Sequence, residues 1–237
     1  MFRLKINVPV SLMDLRTKKC KNGRHTIEYL ENDEYIGPYL ENGWEWETWM
    51  RDDIKFTYKK GTDIIDIGGN IGCNALMFSD YGPVHTFEPL FHQVIENNLR
   101  NNDILHNVTV HKYGLSDRKE EVKIYLPKNR NGLYNYGGCS IKPTDDHDSN
   151  SYVNITLQKL DDVYDGVPSL MKIDVEGNEM EVIQGALRTI KTHKPALIVE
   201  IHDLEKSEIP SYLKSLGYKK IERLHSNYLF VNSSNHA

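Results

Sequence analysis

The stretch TDIIDIGGNIG, residues 62–72, restricts the fold more than any other part of the chain. A short apolar run predicts a buried strand. It gives way to Gly68, Gly69 and Gly72 and then to NIGCNALMFSDYG, which reads as a helix closed by Gly82. Glycines at a strand-to-helix junction permit a tight turn and close approach of the backbone to a ligand. The helix start adds unpaired N–H groups.

The chain beyond Gly82 alternates in the same way. VHTFEP is a second strand, stopped by Pro89, and FHQVIENNLRNND a second helix. VTVHKYGLSD is a third strand and SLMKIDVEG (169–177) a buried fourth. NEMEVIQGALRTI predicts one helix, and ALIVEIH (196–202) a fifth strand. A helix through IPSYLKSLGY has Gly217 as C-cap. KKIERLH and NYLFVN then form a closing antiparallel pair around Ser226-Asn227. The pattern is that of a parallel α/β domain over 61–237. Residues 1–60 are read as a separate cap on the substrate side. Their tryptophan cluster GWEWETWM opens a helix that runs to Tyr58 and stops at Lys60-Gly61-Thr62. Between strands three and four, EEVKIYL and SYVNITL read as antiparallel strands. The polar, Gly-rich insertion between them, 127–151, is either a substrate-covering loop or a mobile insertion.

A length of 237 residues suits a single domain with a good-sized core. With 39% hydrophobic and 27% charged residues, the balance is that of a soluble globular protein. No apolar run approaches the roughly 20 residues a membrane helix needs. The first twenty residues carry scattered charges and read as no leader peptide. The net charge of −5 speaks against general binding to a phosphate backbone. The basic, aromatic run KNRNGLYNY (128–136) is read as a solvated loop rather than a nucleic-acid patch. Cys20, Cys73 and Cys139 show no metal or disulfide spacing, which fits a reducing, cytoplasmic compartment. Nothing in the sequence specifies an oligomer.

The loop departs from GxGxxG, because Asn70 stands at the second glycine position; this counts against a dinucleotide pyrophosphate. Glu88 ends the next strand about twenty residues on, where an acid accepts bonds from ribose hydroxyls. Asp66 ends its own strand at the edge where ligands collect. A cofactor with a ribose but no pyrophosphate fits, and S-adenosylmethionine is one. Its carboxylate would take loop N–H groups, and its sulfonium would be attracted to acidic and aromatic side chains.

Further acids lie on strands four and five. Lys172, Asp174 and Glu176 share one side while the chain stays extended, and Glu200 and His202 end strand five. All five are candidate acid–base groups. Asp174, Glu176 and Glu200 are also candidate ligands for a hard cation such as Mg2+, and a metal-free base fits the pattern equally well. Glu181 and His225 are read as surface residues.

DIGGNIG (66–72), FEP (87–89), GLSD (114–117), GGCS (137–140), LDD (160–162), MKIDVEGNEMEVIQGA (171–186), KPALIVEIH (194–202) and LGY (216–218) together resemble the FkbM family of methyltransferases. The resemblance covers about two-thirds of the chain. It implies a class I methyltransferase Rossmann-like fold: a seven-stranded, mostly parallel sheet with an antiparallel closing strand and helices on both faces. It also implies S-adenosylmethionine as donor and O-methylation of a sugar, glycan or related small molecule. By position, Asp66, Gly68, Gly69, Asn70 and Gly72 would hold the methionine end, and Glu88 with Pro89 the ribose. Ser116 and Asp117 would approach the adenine, Asp174 would lie beside the methyl donor, and Glu47 matches an acidic position before the first strand. Gly69 and Gly114 replace alanines usual in the family. The competing readings are a ribose 2'-O-methyltransferase acting on nucleic acid and a noncatalytic S-adenosylmethionine-binding module.

Overall fold

The computed structural model describes residues 16–222 and 226–233. The run read for a leader peptide falls mostly outside them, as does His225. Strands β3 (Asp63–Ile67), β4 (Val84–Phe87), β5 (Val108–His111), β9 (Pro168–Ile173), β10 (Ala196–Glu200), β11 (Tyr218–Glu222) and β12 (Asn227–Asn232) form one sheet. Its order is β11-β12-β10-β9-β3-β4-β5. β12 runs antiparallel to both of its neighbours, and the other pairings are parallel. This is the seven-stranded class I arrangement that the sequence implied. β3 and β9 sit side by side near the middle, so the glycine loop and Asp174 emerge at the same edge.

Alternation along the strands sorts side chains onto two faces. Ile64, Leu170 and Ile198 join one core with Met50 and Ile54 of α2 (Met50–Thr57), Ala75 and Phe78 of α3 (Cys73–Phe78), and Ile95 and Leu99 of α4 (His92–Asn101). Ile65, Met171 and Val199 join the other, with Val182 of α6 (Glu179–Gly185), Ile190 of α7 (Leu187–His193) and Leu213 of α8 (Ile209–Ser215). The first core also takes in Ile27, Tyr29 and Leu30 of a hairpin, β1 (Thr17–Asn22) with β2 (His25–Leu30), and Leu40 of α1 (Ile36–Glu41). The 4-residue α5 is Leu160–Val163.

Several elements differ from the sequence reading. The helix read from the tryptophan cluster to Tyr58 is α2, which starts at Met50, the cluster's last residue; the residues before it turn, and Glu47 has a left-handed backbone, φ 48°. α3 ends at Phe78. Gly82 still donates to the Phe78 carbonyl, and a Cβ there would lie 2.0 Å from the Tyr58 hydroxyl, so a larger residue would have to displace that ring. The third strand is two: β6 (Gly114–Leu115) leaves the main sheet and pairs with β8 (His147–Gln158), which pairs in turn with β7 (Glu120–Pro127). β8 begins at His147, so the insertion shrinks to 128–146. That insertion is zipped to the N-terminal segment: Glu34 N–H donates to Tyr134 O and Tyr134 N–H to Asn32 O, each at 2.9 Å.

The helix predicted over 178–190 is broken at Ala186 into α6 and α7. Gly185, the last residue of α6, lies so close to β6 that a Cβ would sit 1.9 Å from the Ser116 carbonyl oxygen. A backbone atom cannot step aside as a side chain can. Gly185→Ala is therefore expected to lower the thermal unfolding midpoint by about 10 °C or more, read by circular dichroism; an unchanged midpoint would mean the α6–β6 contact is looser in solution.

Candidate functional site

β3 ends at Ile67 and the chain turns through Gly68, with φ 88°, and Gly72, with φ 90°. Gly68 is required by crowding as well, since a Cβ would lie 1.7 Å from the Asp174 carbonyl oxygen. The loop is tied to β4. Gly68 and Gly69 donate to the Phe87 carbonyl at 3.1 and 3.2 Å, and Asn70 N–H donates to Glu88 Oε2 at 2.9 Å. Glu88 Oε1 accepts from Leu90 and Phe91 N–H groups at 2.7 and 3.1 Å. Burial pushes this carboxyl up to about 7 despite those three donors. Gly72 N–H donates to Gly69 O at 2.8 Å. The N–H groups at 68, 69, 70 and 72, expected from sequence to face a carboxylate, are thus committed inside the protein.

Asp66 lies beneath this loop rather than in the cavity wall. It is fully buried, accepts from the Thr86 hydroxyl at 3.0 Å, and is pushed by burial up to about 6, against the pull of Lys172. Lys172, in the middle of the sheet, is 1% exposed and donates from Nζ to Asp174 Oδ2 at 2.7 Å. Burial alone would lower its pKa; Asp174, Glu47 and Asp66 outweigh that and raise it. Asp174 in turn is desolvated, yet the Lys172 ammonium holds it below the usual carboxylate range. Glu200, at the end of β10, is hydrogen-bonded to Asp174 and driven up to about 9 by burial and by that neighbouring charge. The two carboxyls thus shift in opposite directions, Asp174 down towards the Lys172 ammonium and Glu200 up beside it.

The strand alternation read through 176 stops at Ile173. Glu176 has φ 54°, and its carbonyl accepts from the Ser140 hydroxyl at 2.6 Å. Its carboxylate faces His202 Nε2 at 3.4 Å, and Glu200 lies 3.5 Å from the same nitrogen. The hydrogen bond to the Glu176 side chain, with the acidic groups around it, raises His202 to about 9 against the opposing effect of burial. Among the described residues, the acidic and histidine group whose ligand atoms fall within 4.8 Å of one another is Glu176, Glu200 and His202, not the Asp174, Glu176 and Glu200 expected for a cation.

These groups border one cavity of about 400 Å³. Gly68, Gly69, Asn70, Glu88, Pro89, Lys172, Asp174, Glu176, Glu200 and Glu47 line it, whereas Asp66, Gly72, Ser116, Asp117 and His202 do not. The wall near the last pair is Gly114 and Leu115; Ser116 is buried and donates its N–H to Gln158 O at 2.8 Å. Sequence reasoning missed Tyr35, Trp46, Asn74, Asn135, Tyr136 and Cys139 in the lining. The aromatic density around 35–50 and 133–136 was the signal that could have found them. Asn74 Nδ2 donates to Glu47 Oε2 at 2.8 Å, while Asn74 Oδ1 and Asn70 Oδ1 are buried acceptors without a donor among the described residues.

The model of the Methyltransferase FkbM domain family matches residues 66–220. The chain belongs to the FkbM methyltransferase family. A crystal structure of methyltransferase FkbM from Methylobacillus flagellatus KT is similar to it, with 22% identity and a TM-score of 0.53; the match covers 72% of this chain and 43% of that one. A tRNA methyltransferase from M. jannaschii aligns at TM-score 0.50 and 11% identity, over 93% of this chain and 58% of its own. Trm5b from Pyrococcus abyssi aligns at 0.50 and 9%, over 92% and 55%. This FkbM chain thus spans less than two-thirds of each of these structures, and at such identities they establish the fold alone. No curated protein matches it. Among the described residues no helix is long and apolar enough to cross a membrane.

Titration of the His202 ring by NMR is expected to stay above the ordinary value of about 6.5, and Glu176→Gln to bring it down towards that value. An unchanged midpoint in the variant would mean that the ion pair does not form in solution.

Proposed function

We propose that this FkbM chain is an S-adenosylmethionine-dependent O-methyltransferase acting on a hydroxyl of a sugar, glycan or related small molecule. The observation that carries the reading is the convergence in one cavity of Glu88, the Lys172–Asp174–Glu200 group and the orphaned acceptors of Asn70 and Asn74. Those two amide oxygens, with the Glu47 carboxylate beside them, suit a ligand ammonium, and a buried acceptor left without a donor is costly. They give the methionine end of the donor a different anchor from the loop N–H groups expected from sequence. Glu88 keeps lone pairs for ribose hydroxyls, and Pro89, Gly114 and Leu115 border the same end of the cavity. When bound, the cofactor supplies an electrophilic methyl group.

Asp174 is the group we assign to take the acceptor proton. Lys172 holds it below the usual carboxylate range, while Glu200 beside it is pushed up to about 9. Residues 1–60 and the 128–146 insertion then form the acceptor side. Tyr35 is 51% exposed at the cavity wall, and Tyr39 meets Trp44 and Trp46 edge-on at ring separations of 5.2 Å. Flat rings beside carboxylates suit a neutral polyhydroxylated ring with an apolar face. The lining holds five acidic side chains, Glu47, Glu88, Asp174, Glu176 and Glu200, against one lysine, Lys172, a balance that does not favour a phosphate backbone. The three free cysteines agree with the reducing, cytoplasmic location we assign. A cation at Glu176, Glu200 and His202 has no part in this scheme.

Transfer of tritiated methyl to a saccharide panel, with and without Mg2+, tests the reading. Asp174→Asn is expected to lose about 100-fold or more in turnover while its circular dichroism stays native. Full turnover in that variant would remove Asp174 from the chemistry, and labelling of RNA in place of sugars would favour the ribose reading.

A further inference from the structure

α4 carries Asn98 on the face that meets β2, and Asn102, its C-cap, lies one turn further on. Asn98 Oδ1 accepts from Glu28 N–H at 2.6 Å, and its Nδ2 donates to Glu28 O at 2.8 Å. Asn102 repeats the pattern on Thr26, accepting from N–H and donating to O, both at 2.8 Å. Each side-chain amide makes the pair of bonds that a residue of a neighbouring strand would make. The spacings agree: four residues of helix rise about 6.0 Å and two of strand about 6.6 Å. β1 pairs with the other edge of β2, so α4 closes the hairpin's remaining edge. Left open, that edge would leave the Thr26 and Glu28 backbone groups unpaired in a largely buried seam.

The two rungs differ in one respect. Asn98 Nδ2 also donates to the Ile71 carbonyl at 2.8 Å, whereas the further bond of Asn102 goes to Asn98 O within its own helix. Ile71 belongs to the glycine loop and lines the cavity. Ile95, one turn before Asn98, supports the same loop: a Cβ on Gly69 or Gly72 would lie 3.0 or 3.2 Å from its side chain.

We infer that Asn98 is a positioning residue for donor binding, locking the loop 68–72 to the 17–30 hairpin so that the hairpin becomes part of the cofactor-binding unit. This rests on S-adenosylmethionine being the donor. Asn102 is a built-in comparison, because it makes the same rung on the hairpin without touching the loop. A purely structural role would give Asn98→Ala no reason to single out the methionine end of the ligand, even though Asn98 is fully buried and Asn102 only half-buried.

The test is calorimetric titration of wild type, Asn98→Ala and Asn102→Ala with S-adenosylmethionine and, separately, with adenosine, which lacks the methionine end. Asn98→Ala is expected to weaken S-adenosylmethionine about tenfold and leave adenosine unchanged. Asn102→Ala is expected to leave both affinities unchanged, although both variants unfold at lower temperature. Equal losses for the two ligands, equal losses in the two variants, or no loss at all would overturn the inference. Failure of wild type to bind S-adenosylmethionine would remove the donor reading itself, and the inference with it. Should Asn98→Ala not fold, hydrogen exchange on wild type decides. Linkage is reciprocal, so S-adenosylmethionine must protect the Glu28 amide more than the Thr26 amide. Equal protection of the two would overturn the proposal.

Discussion

Lys172 places a full positive charge next to the carboxyl end of β9, 1% exposed and within the central sheet. Removing an ammonium from water so completely is tolerable only where carboxylates replace the lost hydration. Asp174 supplies the direct contact at 2.7 Å, Asp66 comes from the adjacent strand, and Glu47 comes from the N-terminal segment. Removing one partner of such a buried pair typically costs about 3–5 kcal/mol, so the three segments that provide these acids are tied together by one charge. The same ammonium holds Asp174 below the usual carboxylate range, while Glu200 beside it is pushed up. The interaction that holds the middle of the molecule together thus also bears on the charge of the cavity's acidic edge.

The glycine loop is built outward from this centre. Gly68 lets β3 turn against the backbone of Asp174, Glu88 grips Asn70, and α4 supports the loop from the far side through Ile95 and Asn98. The N–H groups of 68, 69, 70 and 72 are consumed in holding the loop's shape. The character left for a ligand is acceptor rather than donor: Asn70 Oδ1, Asn74 Oδ1 and the carboxylate of Glu47.

The alternation of strands and helices was legible because each strand of a parallel sheet is short, apolar and closed by glycine or proline. The positions of Glu88, Asp174 and Glu200 came from strand ends alone. The features that escaped the sequence depended on contacts between distant segments. The separation of β6 from β5 follows from pairing with Leu157 and Gln158, and the break at Ala186 from the approach of Gly185 to Ser116. Glu176 was misread as strand-borne because the left-handed turn at 176–177 cannot be inferred from alternating side chains. Ser116 and Asp117 sit behind the cavity wall because β6 turns away from the main sheet. The cavity's far wall, zipped from residues 32–35 and 133–136, comes from two segments that match no common pattern and meet only in three dimensions.

Calorimetric titration with S-adenosylmethionine, with NAD as the control, tests the central claim most directly. The site has acceptors for a ribose and an ammonium, and it has Asn70 where a pyrophosphate loop requires glycine. Micromolar binding of S-adenosylmethionine with no heat from NAD is the predicted result. Binding of NAD, or no binding of S-adenosylmethionine, would contradict the assignment of this cavity as a methyl-donor site.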